Sequence, residues 1–202
     1  MNIGQSGPAG PVRSLDSAPM ATPQTQPEVS RQVALRRLGA QLLVPPRTGT
    51  PETVTRHLLA VQSQDLRGAR LAVRARTEAL GSSDVDRALA QRNLVVTWVN
   101  RGTLHLVSPH DLPLLHALTT PQLAVGNARR LAQEGVPPDD AERAVAAVRH
   151  ALSDRGPLTR SDLKEVVDRL GVRTEGQALI HTLFLATLRG WIIRGPMAGK
   201  DQ

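Results

Sequence analysis

The chain has 202 residues, 40% of them hydrophobic, and a formal net charge of +7 that comes from 25 basic and 18 acidic side chains. The absence of cysteine excludes disulfides, cysteine-ligated zinc and thiol nucleophiles, and no apolar run is long enough to cross a bilayer, so we expect a cytoplasmic protein with no membrane partner. Because only 1% of the residues are aromatic, the core must consist of Leu, Val and Ala, which favours packed helices, and the arginine-rich excess of positive charge favours a nucleic-acid partner.

The N-terminal part of the chain is predicted to be a tail followed by two helices. Residues 1–30 are rich in Pro, Gly, Ser and Gln and lack apolar periodicity, which is typical of a disordered tail. A first helix is expected over about 31–43, ended by Pro45 and Pro46. A second helix is expected to begin with Thr50 as its N-cap and proline at its first helical position.

Two more helices are expected before the apolar period changes. One covers about 68–80 and is closed by Gly81. Ser83 and Asp86 have the spacing of a capping box for a short helix that reaches Arg92.

A β-hairpin is predicted where the runs LVVTWV and TLHLV flank the tripeptide 100–102. In the second run Thr103 and His105 share one strand face, and Leu104 and Leu106 share the other, which we expect to face the core. Trp98 and Trp191 are expected on core-packed strands, which leaves no aromatic platform for single-stranded bases and favours a duplex partner.

The second half of the chain repeats this outline and stops short of completing it. Helices are expected from Ser108-Pro109 and over about 139–153. Capping boxes at Thr159 with Asp162 and at Thr174 with Gln177 predict two further helices, and WIIRG predicts a strand.

These elements predict a mainly α protein with small β-hairpins, an α+β fold of tandem winged-helix modules, the second incomplete. The expected organisation is a tail, a first winged-helix module, a linking helical segment and a second, truncated module, over residues 1–30, 31–120, 121–156 and 157–202. The C-terminus looks shortened.

Gln62 and Gln64 lie at the end of the second predicted helix, and the residues alone allow two interpretations of the pair. The glutamines cap a helix end or line a polar groove; or, if the helix ends between them and the chain becomes extended, their carboxamides converge and hold one water molecule. Asp65 after them is either an N-cap residue or a carboxylate that serves that water.

Several basic residues near the glutamines are candidates for binding DNA. Arg67, Arg70 and Arg74 share one helix face, which indicates either a phosphate-binding stripe or a solvated face partly neutralised by Glu78. The hairpin supplies further candidates for DNA contact at its tip and on one face of its second strand: Arg101, Thr103 and His105. The alternative interpretation of His105 is a surface residue with no role in binding. The spacing of His105, His110 and His116 predicts no metal site, and no cofactor is expected.

The segments LLAVQSQD, VVTWVNRGTLHLV and GPLTRSDL, in this order, resemble the AlkZ-like family of winged-helix DNA glycosylases over about 31–196. The resemblance implies N-glycosidic hydrolysis of alkylated purines in double-stranded DNA, with Gln62 and Gln64 as the catalytic pair. In this chain Ser63 stands between them, where the family favours an aliphatic residue, and family members are longer. The alternatives are a non-catalytic winged-helix DNA-binding protein, an inactive glycosylase fragment, and a helical interaction module.

Overall fold

The structure, a computed structural model, describes residues 26–47 and 49–196. The predicted disordered tail over 1–25 lies outside the described residues. Helix α1, Gln26–Ala40, starts within the segment predicted as tail. The chain divides between Arg37 and Leu38 into two units.

The unit that starts at Leu38 holds the remaining helices and a small antiparallel sheet, which confirms the mainly helical α+β class. No helix within the described ranges is long and apolar enough to cross a membrane. The elements are α2 Pro51–Leu58, β1 Val61–Gln62, α3 Leu66–Arg74, α4 Ser82–Ala90, β2 Val95–Val99, β3 Thr103–Val107, α5 Leu112–Gln133, α6 Pro138–Arg155, α7 Arg160–Asp168 and α8 Ala178–Leu188.

Two of the predicted helix caps are confirmed. Thr50 caps α2, because its hydroxyl accepts the backbone N–H of Thr53 at 3.3 Å. Thr159 and Asp162 form the capping box of α7, in which each side chain accepts the backbone N–H of the other residue, at 3.2 and 2.8 Å.

The other two predicted capping boxes are wrong, because their side chains bind more distant partners. The N-cap of α4 is Gly81, two residues earlier than expected, and its backbone N–H donates to Asp84 at 2.8 Å. Asp86 instead accepts the guanidinium of Arg70. The Thr174 hydroxyl donates to Asp168 at 2.5 Å, and α8 begins without a side-chain cap.

The predicted hairpin is confirmed and forms two strands of the sheet, whose order is β1-β3-β2. Strand β3 lies in the centre, with Gln62 opposite His105 on one side and Thr97 opposite His105 on the other. The strand predicted at WIIRG is reduced to a single antiparallel bridge between Arg194 and Val96 of β2.

Both faces of the sheet are covered. Leu104 and Leu106 face the main core, as predicted, together with Val96 and Trp98. On the other face Val95, Val99 and Val107 pack against the first turns of α5. His105 lies on that second face and is only 8% exposed. The alternative interpretation of His105, as a surface residue, is therefore wrong.

Trp191 was predicted in the core and is 48% exposed, whereas Trp98 is 9% exposed, as expected for a core residue. The reason is that the segment after α8 pairs with β2 only at Arg194, so Trp191 is not drawn onto the sheet. The guanidinium of Arg149 lies over the Trp191 ring, 3.8 Å from its centroid.

Helix α5 begins at Leu112 rather than at Ser108-Pro109 and runs through position 120, the predicted end of the first module. It is joined to α8 by a buried polar pair. The Asn127 amide donates to the His181 carbonyl at 3.0 Å, and its Oδ1 accepts the N–H of His181 Nδ1 at 2.7 Å. Burial, and then the charge of Arg130, lower the pKa of His181.

The stability of the protein is therefore expected to fall as the pH drops through the ordinary histidine pKa of about 6.5, because the unfolded chain takes up a proton that folded His181 resists. The slope is at most about 1.4 kcal/mol per pH unit for this one group, and it flattens below the folded pKa. Urea midpoints between about pH 7.5 and 5.5 measure it. His181→Gln, which keeps a donor for Asn127, should lose this part of the dependence; an unchanged dependence in that variant would contradict the assignment.

Candidate active site

The glutamine pair lies on an extended segment. Helix α2 ends at Leu58, Leu59 adopts a positive φ of 64°, and β1 follows directly. Along 61–64 burial alternates, so that Gln62 and Gln64 are exposed while Ser63 between them is 2% exposed. Because side chains two residues apart point to the same face of an extended chain, the two carboxamides emerge on one side. The helix was expected to end between the two glutamines, and it instead ends before both of them, at Leu58.

The two carboxamides are held differently. Gln64 Oε1 accepts the backbone N–H of Leu104 at 3.0 Å, next to the bond from Ser63 N–H to the Leu104 carbonyl at 2.8 Å. This fixes the orientation of the Gln64 amide and leaves one lone pair of its oxygen and its NH₂ group for a ligand. Gln62 makes no side-chain hydrogen bond within the part of the chain that the structure describes.

His105 is the third polar side chain at this place. It is the register partner of Gln62 across β1 and β3, so the two side chains share a sheet face and lie within about 5.5 Å at Cβ. The Thr103 carbonyl, 2.9 Å away, can only accept, so Nδ1 carries the proton. In the neutral ring Nε2 is then an acceptor. These three residues, the amides Gln62 and Gln64 and the imidazole His105, are together called the amide cluster below.

An open cleft of about 560 Å³ lies along β1, with Gln62 in its wall. Arg76 braces one side, because its guanidinium donates to the carbonyls of Gln41 and Ala72, both at 2.8 Å. His57 Nε2 donates to the Ala40 carbonyl at 2.9 Å on the other side. No sequence pattern pointed to the bonds that join Arg76 to Gln41 and His57 to Ala40, because both acceptors are backbone carbonyls far away along the chain.

Asp65 is the N-cap of α3, which confirms that interpretation. Its carboxylate accepts the backbone N–H groups of Arg67 at 3.0 Å and Gly68 at 3.3 Å. Both carboxylate oxygens are thus engaged at the helix start.

The arginine stripe on α3 is only partly free. Arg70 Nε and Nη2 lie 2.9 and 2.5 Å from Asp86 Oδ1, and its side chain is 22% exposed. Arg67 and Arg74 are exposed and have no ion-pair partner among the described residues. The expected pairing of Arg74 with Glu78 is wrong, because α3 ends at Arg74 and Glu78 does not lie one turn further along the same helix.

The hairpin tip does not project freely into solvent. Gly102 has a φ of +78°, and a Cβ at this position would lie 3.5 Å from both Leu123 and Phe184. The tip therefore packs against α5 and α8, and glycine is needed for the conformation. Arg101 is exposed beside it, and Thr103 is half-buried.

Ser63 places a buried hydroxyl between the two glutamines. Its side chain points to the same side as Val61, a member of the main core, and its buried hydroxyl has no hydrogen-bond partner among the described residues. Ser63→Ala is expected to raise the free energy of unfolding by about 1 kcal/mol, because an unsatisfied buried hydroxyl is removed. Urea denaturation measures it. The matched control is Ser108→Ala, whose buried hydroxyl accepts the His110 N–H at 3.3 Å and whose loss should destabilise. Equal destabilisation by both variants would show that Ser63 is satisfied.

The described residues contain no group of three or more His, Asp or Glu side chains that could hold a metal ion. The three histidines considered in the sequence have separate partners: Thr103 for His105, Asp111 for His110 and Thr187 for His116.

Comparison with known proteins identifies the family. The family model of DNA glycosylase AlkZ-like matches residues 55–202. The interstrand DNA cross-link repair glycosylase of Streptomyces sahachiroi is 37% identical over 81 residues, which cover 40% of this chain and 22% of that protein. The solved structure of Streptomyces sahachiroi DNA glycosylase AlkZ matches with a TM-score of 0.68 and 27% identity, over 85% of this chain and 47% of that one. The chain spans less than half the length of these relatives. Because the family match includes most of the chain and both glutamines, the chain belongs to the AlkZ-like DNA glycosylase family.

Proposed function

We propose that this chain binds double-stranded DNA and hydrolyses the N-glycosidic bond of alkylated purines. The observation that carries the proposal is the placement of Gln62 and Gln64: both are exposed, two residues apart at the edge of the sheet, and Gln62 lines an open cleft. Family membership supports a DNA-repair glycosylase, and the names of both relatives describe glycosylases.

The proposed reaction suits a pair of neutral amides. A purine alkylated at N7 is cationic, so it leaves as a neutral base without a general acid. Water attacks the anomeric carbon, the bond from that carbon to the purine nitrogen breaks, its electron pair goes to the base, and the proton of the water passes to solvent. What the protein must supply is an oriented water and dipoles aimed at the positive charge that develops on the sugar.

In this scheme the free lone pair of Gln64 Oε1 and the unbound carboxamide of Gln62 hold the water. The bond from Leu104 N–H fixes the direction of Gln64 before the substrate arrives, which is the form of preorganisation that such catalysis needs. His105, whose Nδ1 is bound to the Thr103 carbonyl, is proposed to contact the lesion or a phosphate through Nε2. The open cleft leaves room for a substituent on the base.

The proposed DNA contacts are Arg67, Arg74, Arg101 and Thr103, with Arg70 contributing only if its bond to Asp86 opens. We also propose two winged-helix modules: α3 and α4 with the hairpin in the first, and α6, α7 and α8 in the second. The single bridge at Arg194 makes the second wing incomplete within the described residues.

The test is to incubate the chain with duplex carrying N7-methylguanine and to measure released base by chromatography, with undamaged duplex as the control. Release from the damaged duplex alone supports the enzyme. Salt-sensitive binding without release would support a non-catalytic DNA-binding protein. Absence of binding at low salt would reject both.

A further inference from the structure

A second cavity, distant from the amide cluster, brings two arginines together. It has a volume of about 80 Å³ and lies between the start of α7, helix α8 and the segment that follows it. Arg160 and Arg194 both line it, next to Trp98 and a set of leucine and isoleucine side chains. The volume equals that of two or three water molecules at about 30 Å³ each, so the cavity suits a small anion and not a nucleobase.

Arg194 is held in place from two directions. Its backbone N–H and carbonyl pair with Val96 at 2.9 and 3.3 Å. Its guanidinium lies over the Trp98 ring, 4.9 Å from the centroid. Burial, and then the charge of Arg160, lower the pKa of Arg194, which means that the two positive charges act on each other.

Among the described residues, no carboxylate forms an ion pair with either arginine. Neither arginine forms an ion pair within the described ranges, although eight other arginines there do, at Arg56, Arg70, Arg87, Arg130, Arg143, Arg169, Arg173 and Arg189. The acidic residue nearest in sequence to Arg160 is Asp162. Its Oδ2 accepts both the N–H and the hydroxyl of Thr159, at 2.8 and 2.6 Å, and the charge of Arg155 acts on it.

Arg160 is exposed, whereas Arg194 is half-buried beside an apolar cavity, so the charge of Arg194 costs free energy unless an anion joins it. Guanidinium forks bind phosphate oxygens in pairs. We propose that Arg160 and Arg194 bind one phosphate group, which the DNA backbone supplies under the function proposed above. Arg194 was not among the DNA-binding candidates drawn from the sequence, because it lies in a strand that barely forms.

This site is separate from the amide cluster. Val61, Leu106, Val96 and Arg194 form one row of register partners across the sheet. Three strand spacings of about 4.8 Å place the Arg194 backbone about 14 Å from β1. That distance equals about four base-pair steps of duplex, so a probe of about 20 base pairs spans both places.

The experiment uses Trp98 as the reporter. Trp191→Phe removes the other tryptophan and keeps a ring under Arg149, and the chain contains no tyrosine. In this background, undamaged duplex and, separately, inorganic pyrophosphate are titrated while Trp98 emission is recorded. We expect both to change the emission. Arg160→Gln and Arg194→Gln should each weaken duplex binding by about three- to tenfold and reduce the log–log salt slope by about one.

The matched control is Arg169→Gln, an exposed arginine that pairs with Glu165 at 3.4 Å and should change little. Circular dichroism shows whether each variant is folded, and Arg194→Lys tests the role of the charge alone. If Arg160→Gln and Arg194→Gln both bind duplex as tightly as the control, the phosphate site is wrong and the proposed function stands. If wild type fails to bind duplex but binds pyrophosphate through these arginines, the anion site stands and the proposed function fails. Binding of neither probe overturns the inference.

Discussion

Replacement of Gln62 and Gln64 together by alanine is expected to lower the rate of N7-methylguanine release by about two to three orders of magnitude, with duplex affinity changed much less. The loss would arise because the variant retains the arginines proposed to bind DNA but no longer orients the water or directs dipoles at the sugar. Single-turnover release from damaged duplex measures the rate, and a salt titration measures the binding. The matched control is Gln122→Ala, an exposed glutamine on α5 away from the cleft.

The single variants separate a chemical role from a structural one. Gln62 has no side-chain bond among the described residues, so Gln62→Ala should lower the rate and leave the urea midpoint unchanged. Gln64→Ala should lower both, since it also removes the acceptor for Leu104 N–H. A full rate in Gln62→Ala, or a loss of release that follows the loss of folded protein, would reject the water-positioning role.

Phe184→Ala is expected to reduce the free energy of unfolding by about 3–5 kcal/mol, the largest stability effect of any variant considered for this chain. Phe184 is 8% exposed, its ring centroid is 5.4 Å from that of Trp98, and its edge faces Gly102 at the hairpin tip. Truncation therefore opens a cavity where α8, β2 and the hairpin tip meet. Urea or thermal denaturation measures the loss, and the midpoint temperature should fall by roughly 10 °C.

Trp191→Ala is the matched aromatic control. Trp191 is 48% exposed and touches Arg149 across one face of its ring, so its truncation should cost about 1 kcal/mol or less. If Phe184→Ala and Trp191→Ala cost the same, the hairpin tip is not packed on α8. Because Gln64 is bonded to the backbone of β3, Phe184→Ala should also slow base release, whereas the exposed tryptophan variant should not.

The helices and the hairpin followed from local patterns that act within one turn or one strand pair. Thr50-Pro51 and the pair Thr159 with Asp162 are local signals, and both were confirmed because their hydrogen bonds close within three residues. Asp86 and Thr174 had equally good local spacing. Asp86 instead accepts from Arg70, and Thr174 donates to Asp168. A local spacing pattern cannot predict such bonds to residues outside the capping box.

The candidate site likewise combines features that the sequence predicts with contacts that depend on packing. The alternation at 61–64 makes the two glutamines share a side once the chain is extended, and the position of the pair at a predicted helix end was visible in the sequence. The bond from Leu104 to Gln64 spans 40 residues, and the bond that engages Arg70 spans 16. These contacts, which decide which amide is rigid and which arginine is free, depend on how separate elements pack.

By itself, the sequence determined the arginine-rich charge, the helical class, the hairpin and the presence of two neutral amides two residues apart, because each depends on composition or on neighbours along the chain. Only the tertiary structure decided that β3 is the central strand, that Trp191 stays exposed, and that Arg160 and Arg194 meet beside Trp98. The physical reason is that burial and ion pairing depend on which surfaces meet in space, and residues far apart in the chain meet only after the whole core has packed.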